Sequence, residues 1–78
     1  MYYIGFCKFC GGVLGIEKDN RTGKVFIYCD ECMSEWEDPN EALNNKGGTR
    51  FQFNDFEDAT EEDVKKLNWN VNVMKWEE

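Results

Sequence analysis

The side chains in this 78-residue sequence best suited to soft-metal or redox chemistry are four cysteines in two pairs, Cys7-Lys8-Phe9-Cys10 and Cys29-Asp30-Glu31-Cys32. The spacing C-x2-C-x18-C-x2-C is that of a metal site. A two-residue gap lets both sulfurs of a pair project from one tight turn, and two such turns brought together complete a tetrahedron with bonds of about 2.3 Å. Protein then fills all four positions and leaves none for water. The expected cofactor is therefore one structural Zn2+ held by Cys7, Cys10, Cys29 and Cys32, and not a Lewis acid for hydrolysis. Other chemistries fit less well. A disulfide framework belongs to exported chains, and the start Met1-Tyr2-Tyr3-Ile4-Gly5-Phe6 lacks the basic and long apolar regions of a secretory signal. A redox dithiol sets one C-x-x-C at the start of a helix in a βαβ unit, unlike two equivalent pairs joined by a β-like segment. Iron in a rubredoxin-like site takes the same four sulfurs and remains open.

A staple of this kind is needed on composition alone. At 41% hydrophobic and 15% aromatic residues the chain is too apolar for a disordered tail. Yet ordering it costs roughly 1.5 kcal/mol per residue, which the burial of so small a core only about balances. Zinc binding, on the order of 10 to 16 kcal/mol in small zinc peptides, supplies the difference.

The residues around the pairs, Cys7-Lys8-Phe9-Cys10-Gly11-Gly12 and Cys29-Asp30-Glu31-Cys32, resemble the two knuckles of a zinc ribbon over roughly residues 5 to 37. Gly11 and Gly12 fit that resemblance, because a backbone curling its N–H groups toward thiolates needs a left-handed position after the second cysteine. Met33 and Ser34 stand at the matching place in the second knuckle, so that turn is expected to be wider or strained. The zinc-ribbon fold serves many functions, so it implies architecture and leaves the task open.

The elements that must position the cysteines follow from pattern. Val13-Leu14-Gly15-Ile16 and Val25-Phe26-Ile27-Tyr28 read as the strands of a hairpin whose tip, residues 17 to 24, gathers Lys18, Arg21 and Lys24. Asp38 before Pro39 caps a short helix, and the glycines of Lys46-Gly47-Gly48 are expected to supply its left-handed end. Thr49-Arg50-Phe51-Gln52-Phe53 alternates like a strand. Thr60 with Asp63 forms a capping box for a second helix that has Val64 and Leu67 on its apolar face. Asn70-Val71-Asn72-Val73-Met74-Lys75-Trp76 reads as a strand with a bulge. The expected fold is a single α+β domain, 1–78: a zinc-ribbon part at 1–37 and an acidic α+β appendage at 38–78 with two short helices and one or two strands. The two parts are expected to share one core. Trp36, Phe51, Phe53, Phe56, Trp69 and Trp76 are spread across their join, and their bland reading is core packing. The sharper reading makes one or two of the tryptophans interface anchors.

Charge narrows the function. The formal charge is -7, with four bases against two acids up to Cys29 and five bases against fourteen acids beyond it. Such a field argues against polyanionic partners such as duplex DNA or anionic membrane, and no apolar run approaches the roughly 20 residues of a membrane span. The chain reads as cytoplasmic. With no histidine, cysteines committed to metal and no phosphate-cradling glycine motif, it is expected not to be an enzyme and to bind no small-molecule substrate. Asn54-Asp55-Phe56-Glu57-Asp58-Ala59-Thr60-Glu61-Glu62-Asp63 places six acids in ten residues. It reads either as a solvated loop leading into a helix start, or as a surface for a basic protein made by Asp55, Glu57, Asp58, Glu61 and Glu62. Glu35, Glu37 and Asp38, beside Trp36, invite the same two readings.

The order of elements, knuckles followed by Cys-Asp-Glu-Cys-x3-Trp-x2-Pro and later Ala-Thr-Glu-Glu-Asp before an apolar helix and strand, resembles small bacterial immunity proteins encoded beside secreted or contact-dependent toxins. The resemblance implies a non-catalytic inhibitor whose acids cover the basic site of a nuclease-like toxin. The alternatives are a nucleic-acid-binding or transcription-associated ribbon using the hairpin tip, or a rubredoxin-like electron carrier. The oligomeric state stays open.

Overall fold

The computed structural model describes residues 1–76. Its elements are β1 (Tyr2–Phe6), β2 (Val13–Asp19), β3 (Val25–Cys29), β4 (Glu35–Trp36), α1 (Pro39–Asn44), β5 (Phe56–Asp58), α2 (Glu61–Lys65) and β6 (Met74–Lys75). The strands form one antiparallel sheet in the order β4-β3-β2-β1-β6. At the expected level this is a small α+β fold with two short helices and a cysteine cluster.

β2 organises the sheet. One edge pairs with β3 from Leu14 opposite Cys29 to Lys18 opposite Val25. The other edge is shared: its start pairs with β1, Gly15 opposite Tyr3, and its end pairs with β5, Glu17 opposite Asp58. The hairpin is thus longer than the apolar runs alone suggest, and its tip shrinks to residues 20–24. Asp19 closes that tip by accepting from the Arg21 N–H at 3.1 Å and the Thr22 hydroxyl at 2.8 Å.

Period-two alternation gives the sheet two different faces. On one, Ile4, Leu14, Ile16, Ile27 and Trp36 join Cys7, Cys29, Ala42 and Ala59 in a buried cluster, covered by Leu43 of α1, Val64 and Leu67 of the α2 region, and Trp69, Val71 and Val73. The other face carries Gly15, Glu17 and Asp19 of β2 with Phe26 and Tyr28 of β3. Phe53 stacks on Phe26 with centroids 3.9 Å apart, and Phe56 meets the same ring edge-on at 5.3 Å. Phe26 is fully buried beneath them. β2 is therefore covered on both faces, and residues 53 to 59 form a strap along its edge that lays the Phe53 and Phe56 rings on the second face and buries Ala59 on the first.

Several expectations change. The segment 49–53 is not a strand: Thr49 alone bridges Glu35, after which Phe51 turns left-handed at φ 62°. The Gln52 and Phe53 N–H groups donate to the Glu35 carboxylate at 3.1 and 3.0 Å, so a side chain takes the donors a ladder would use. The 70–76 strand shortens to Met74 and Lys75 opposite Tyr3 and Tyr2, and the register shift falls in β1, between Tyr3 and Gly5. The reading of residues 54 to 63 as a loop leading into a helix missed β5. Asn45, not a glycine, is the first left-handed residue closing α1, at φ 52°. The Asp38 cap and the capping box of Thr60 with Asp63 stand where expected.

Candidate metal centre

The two knuckles share one turn geometry. In the first, the Gly11 N–H donates to the Cys7 carbonyl at 2.8 Å and the Cys7 N–H to the Gly12 carbonyl at 2.7 Å; in the second, Met33 donates to Cys29 at 3.0 Å and Cys29 to Ser34 at 2.9 Å. The second turn is therefore not wider. The left-handed backbone that Gly11 adopts without penalty at φ 79° is imposed on Met33 at φ 62°, a strain of about 1–2 kcal/mol. Gly12 serves a second need: a Cβ there would lie 3.0 Å from the Cys29 sulfur and 2.9 Å from Asp30, so only glycine lets the knuckles close on each other. Asp30 ties them by accepting from the Val13 N–H at 3.1 Å.

This closure brings the four sulfurs within 4.8 Å of one another, with Cys10 and Cys29 at 3.3 Å and Cys7 and Cys32 at 4.0 Å. A tetrahedron with bonds of about 2.3 Å has sulfur-sulfur edges of about 3.8 Å, so the set brackets the size a metal requires. All four cysteines are free, and their separations far exceed a disulfide bond of about 2.05 Å. The donor set fits a thiophilic divalent ion, and Cys7, Cys10, Cys29 and Cys32 would hold it.

Electrostatics favour a cation here. Burial pushes the Cys29 thiol up to about 12, so it ionises near neutrality only against positive charge. Burial acts the same way on Cys32, but hydrogen bonds from the Ser34 side chain and backbone outweigh it and hold that thiol down, at about 6. The Gly12 N–H points at the Cys10 sulfur in the equivalent way, at 3.4 Å. Because Cys7 and Cys29 belong to the buried cluster, the centre also closes one end of the core.

The acidic candidates separate into two sets. Asp55, Glu57, Asp58, Glu61 and Glu62 are all exposed, on β5, the first turn of α2 and the residue before β5. The two ion pairs found among the described residues, Lys18 with Asp63 at 3.4 Å and Lys24 with Glu37, involve none of these five. Glu35 is a correction: it is only 2% exposed and accepts from Thr49, Gln52 and Phe53, so it belongs to the interior and to no exposed partner surface. Glu37 is engaged by Lys24, and Asp38 caps α1 through the Asn40 N–H at 2.8 Å. The same ion pairs occupy Lys18, which lies in β2 and not in the tip, and Lys24, so of the three bases expected at the tip Arg21 alone is outside them, which weakens the tip as a phosphate-binding locus.

Sequence reading missed Glu17. It is 8% exposed on β2, and burial together with the facing Asp58 carboxylate raises it to about 8. The apolar pattern ends at Ile16 and leaves Glu17 in the hairpin tip, and only the longer β2 and its pairing with β5 reveal that it is covered. Trp36 is buried against the core, with its indole N–H donating to the Lys46 carbonyl at 3.1 Å; Trp69 is half-buried and Trp76 is 44% exposed. Among the described residues no helix is long and apolar enough to cross a membrane.

Neither family models, nor curated proteins, nor solved structures give a match to the chain.

Proposed function

We propose that this chain is a zinc-stapled, non-catalytic binding protein that engages a basic protein through its acidic strap, and that its role is that of an immunity protein neutralising a nuclease-like toxin. The supporting observation is the placement of Asp55, Glu57, Asp58, Glu61 and Glu62. They are exposed on a segment fixed by β5 pairing and by the α2 cap, and outside both ion pairs. Four thiolates around one divalent ion add two further negative charges to the formal -7. Charge of this size repels itself within a small fold, and a surface for a cationic partner is a reason to retain it. Fixed carboxylates meet such a partner without further ordering, and opposite fields give fast association. In this reading the metal holds the fold and performs no chemistry.

The test is affinity capture from a cell that encodes the chain, followed by binding kinetics of the captured protein with the Asp55→Asn, Glu57→Gln double variant. The variant is expected to slow association and flatten its salt dependence. Unchanged kinetics, with loss of binding in Arg21→Ala, would place the interface on the hairpin tip instead.

A further inference from the structure

The strap brings one of its exposed acids against a buried one. Asp58 pairs with Glu17 of β2 in the antiparallel register, so the two side chains leave the sheet on the same face, next to each other. Asp58 is exposed, whereas Glu17 is only 8% exposed. A Cβ on Gly15 would lie 3.2 Å from a Glu17 carboxyl oxygen, so the bare glycine gives that carboxyl its room. Neither acid takes part in the two ion pairs found among the described residues.

The groups around the pair supply little positive charge. Lys18, next along β2, points to the opposite face and is paired with Asp63. Asp19, on the same face as Glu17, is a further carboxylate, engaged by Arg21 and Thr22. Tyr28 of β3 and Tyr3 of β1, the latter opposite Gly15, bring only phenol groups. The Met1 ammonium acts on Glu17 weakly and donates to the Trp76 carbonyl at 3.3 Å. Two adjacent carboxyl groups without a cation between them share one proton, and the buried member keeps it.

We infer that Glu17 and Asp58 are a one-proton pair through which the strap exchanges that proton for a guanidinium or ammonium group of its partner, so that binding at Asp58 ionises Glu17 and tightens as pH rises. The inference rests on the proposed basic partner and adds the regulation of that surface by pH. The exchange conserves charge: Glu17 gives its proton to solvent, and the cation takes the place the proton held between the two carboxylates. A cation at Asp58 favours ionised Glu17 and so lowers its midpoint in the complex. By linkage, affinity then rises between that lowered midpoint and the free-chain value of about 8, and is level above it. Loss of the Met1 ammonium charge acts in the same direction, so the Glu17 carboxyl itself has to be read.

The experiment follows the Glu17 side-chain carboxyl carbon of the full chain by NMR from about pH 5 to about pH 9.5, at about 0.15 M salt, with and without saturating hexa-arginine. Hexa-arginine is expected to lower the Glu17 midpoint by about 0.5 to 1 pH unit, which corresponds to about three- to tenfold tighter binding at about pH 9 than at about pH 6. Hexa-citrulline, the neutral isostere, is expected to leave the midpoint where it is. Glu17→Gln should lose this part of the rise in affinity, and in Asp58→Asn the peptide should no longer move the Glu17 midpoint. Peptide binding with an unmoved Glu17 midpoint, or an equal movement in Asp58→Asn, overturns the exchange and leaves the acidic surface standing. A free-chain Glu17 midpoint in the ordinary carboxylate range overturns it as well. No binding of hexa-arginine at either end of the pH range overturns both this inference and the basic-partner reading.

Discussion

Glu17 on β2 and Asp58 on β5 stand directly opposite each other across the sheet, two acids in the place where a cross-strand pair normally carries opposite charges or apolar side chains. The arrangement survives because Glu17 holds its proton. Burial and the facing Asp58 raise it from its ordinary value of 4.5 to about 8, with the Met1 ammonium pulling weakly the other way. Across β3, Tyr28 is itself held above its usual value, by burial first and then by nearby carboxylates that include Glu35 and Glu17. A protonated Glu17 donates to Asp58 and pins the strap, whereas an ionised one repels it.

The consequence is a stability that falls with rising pH. Between about 4.5 and 8 the folded chain binds the Glu17 proton and the unfolded chain does not, so unfolding becomes easier across that window and levels off above it. Allowing for partial access of water, the loss is on the order of 2 kcal/mol. Thermal melts between pH 6 and 9 should show the decline, and Glu17→Gln should flatten it. A Glu17→Gln variant with the wild-type pH profile would show that other groups set it.

The second knuckle offers a stabilising change. Met33 adopts the left-handed backbone that Gly11 adopts in the first, and its side chain is exposed, so little packing is lost by removing it. Met33→Gly is expected to relieve about 1 kcal/mol of strain, partly offset by the greater freedom glycine adds to the unfolded chain. A melting temperature raised by a few degrees is the expected reading, and Gly11→Ala should lower it by a comparable amount or more. If Met33→Gly instead destabilises, the Met33 side chain has a contact that its exposure conceals.

Metal removal tests the centre itself. One zinc per chain is expected by native mass spectrometry. Chelation, or Cys29→Ala, is expected to unfold the sheet end that Cys7 and Cys29 close, because binding free energy is folding free energy in such a domain. An apo chain or Cys29→Ala variant that melts like the wild type would exclude a structural role, and bound iron in place of zinc would favour the electron-carrier alternative.

What the sequence made legible was whatever local chemistry specifies. The cysteine spacing located the cluster, the Asp38 and Thr60 caps located both helix starts, and the apolar runs located the β2 and β3 hairpin. What escaped depends on contacts distant in the chain. β1 was invisible because Tyr2-Tyr3-Ile4-Gly5-Phe6 is short and interrupted by glycine. β5 reads as an acidic loop until β2 offers it an edge. Thr49-Arg50-Phe51-Gln52-Phe53 alternates as well as many strands do, but its donors are claimed by a carboxylate fourteen to eighteen residues earlier. The same error ran through the site. Counting acids treated Glu35 and Glu57 alike, although one is an internal hydrogen-bond acceptor and the other is exposed.

Glu35 therefore supports a prediction of its own. Its backbone pairs with Thr49 in both directions, at 2.8 and 2.9 Å, and its side chain accepts from the Thr49 hydroxyl and the Gln52 and Phe53 N–H groups. That clamp seats Phe53 on Phe26, so one side chain both satisfies three donors and helps cover the second face of the sheet. Glu35→Ala should leave those donors without their acceptor and loosen the stacked ring, costing about 2–4 kcal/mol. Glu35→Gln keeps the shape but replaces one acceptor oxygen with an NH2 group facing N–H donors, so it should recover only part of the loss. Denaturant melts give the magnitudes. Hydrogen exchange gives the location: in Glu35→Ala the Gln52 and Phe53 amides should lose protection while the Ile27 amide in β3 keeps more of it. Wild-type stability in Glu35→Ala, with the Phe53 amide still protected, would mean that ring stacking alone holds the segment.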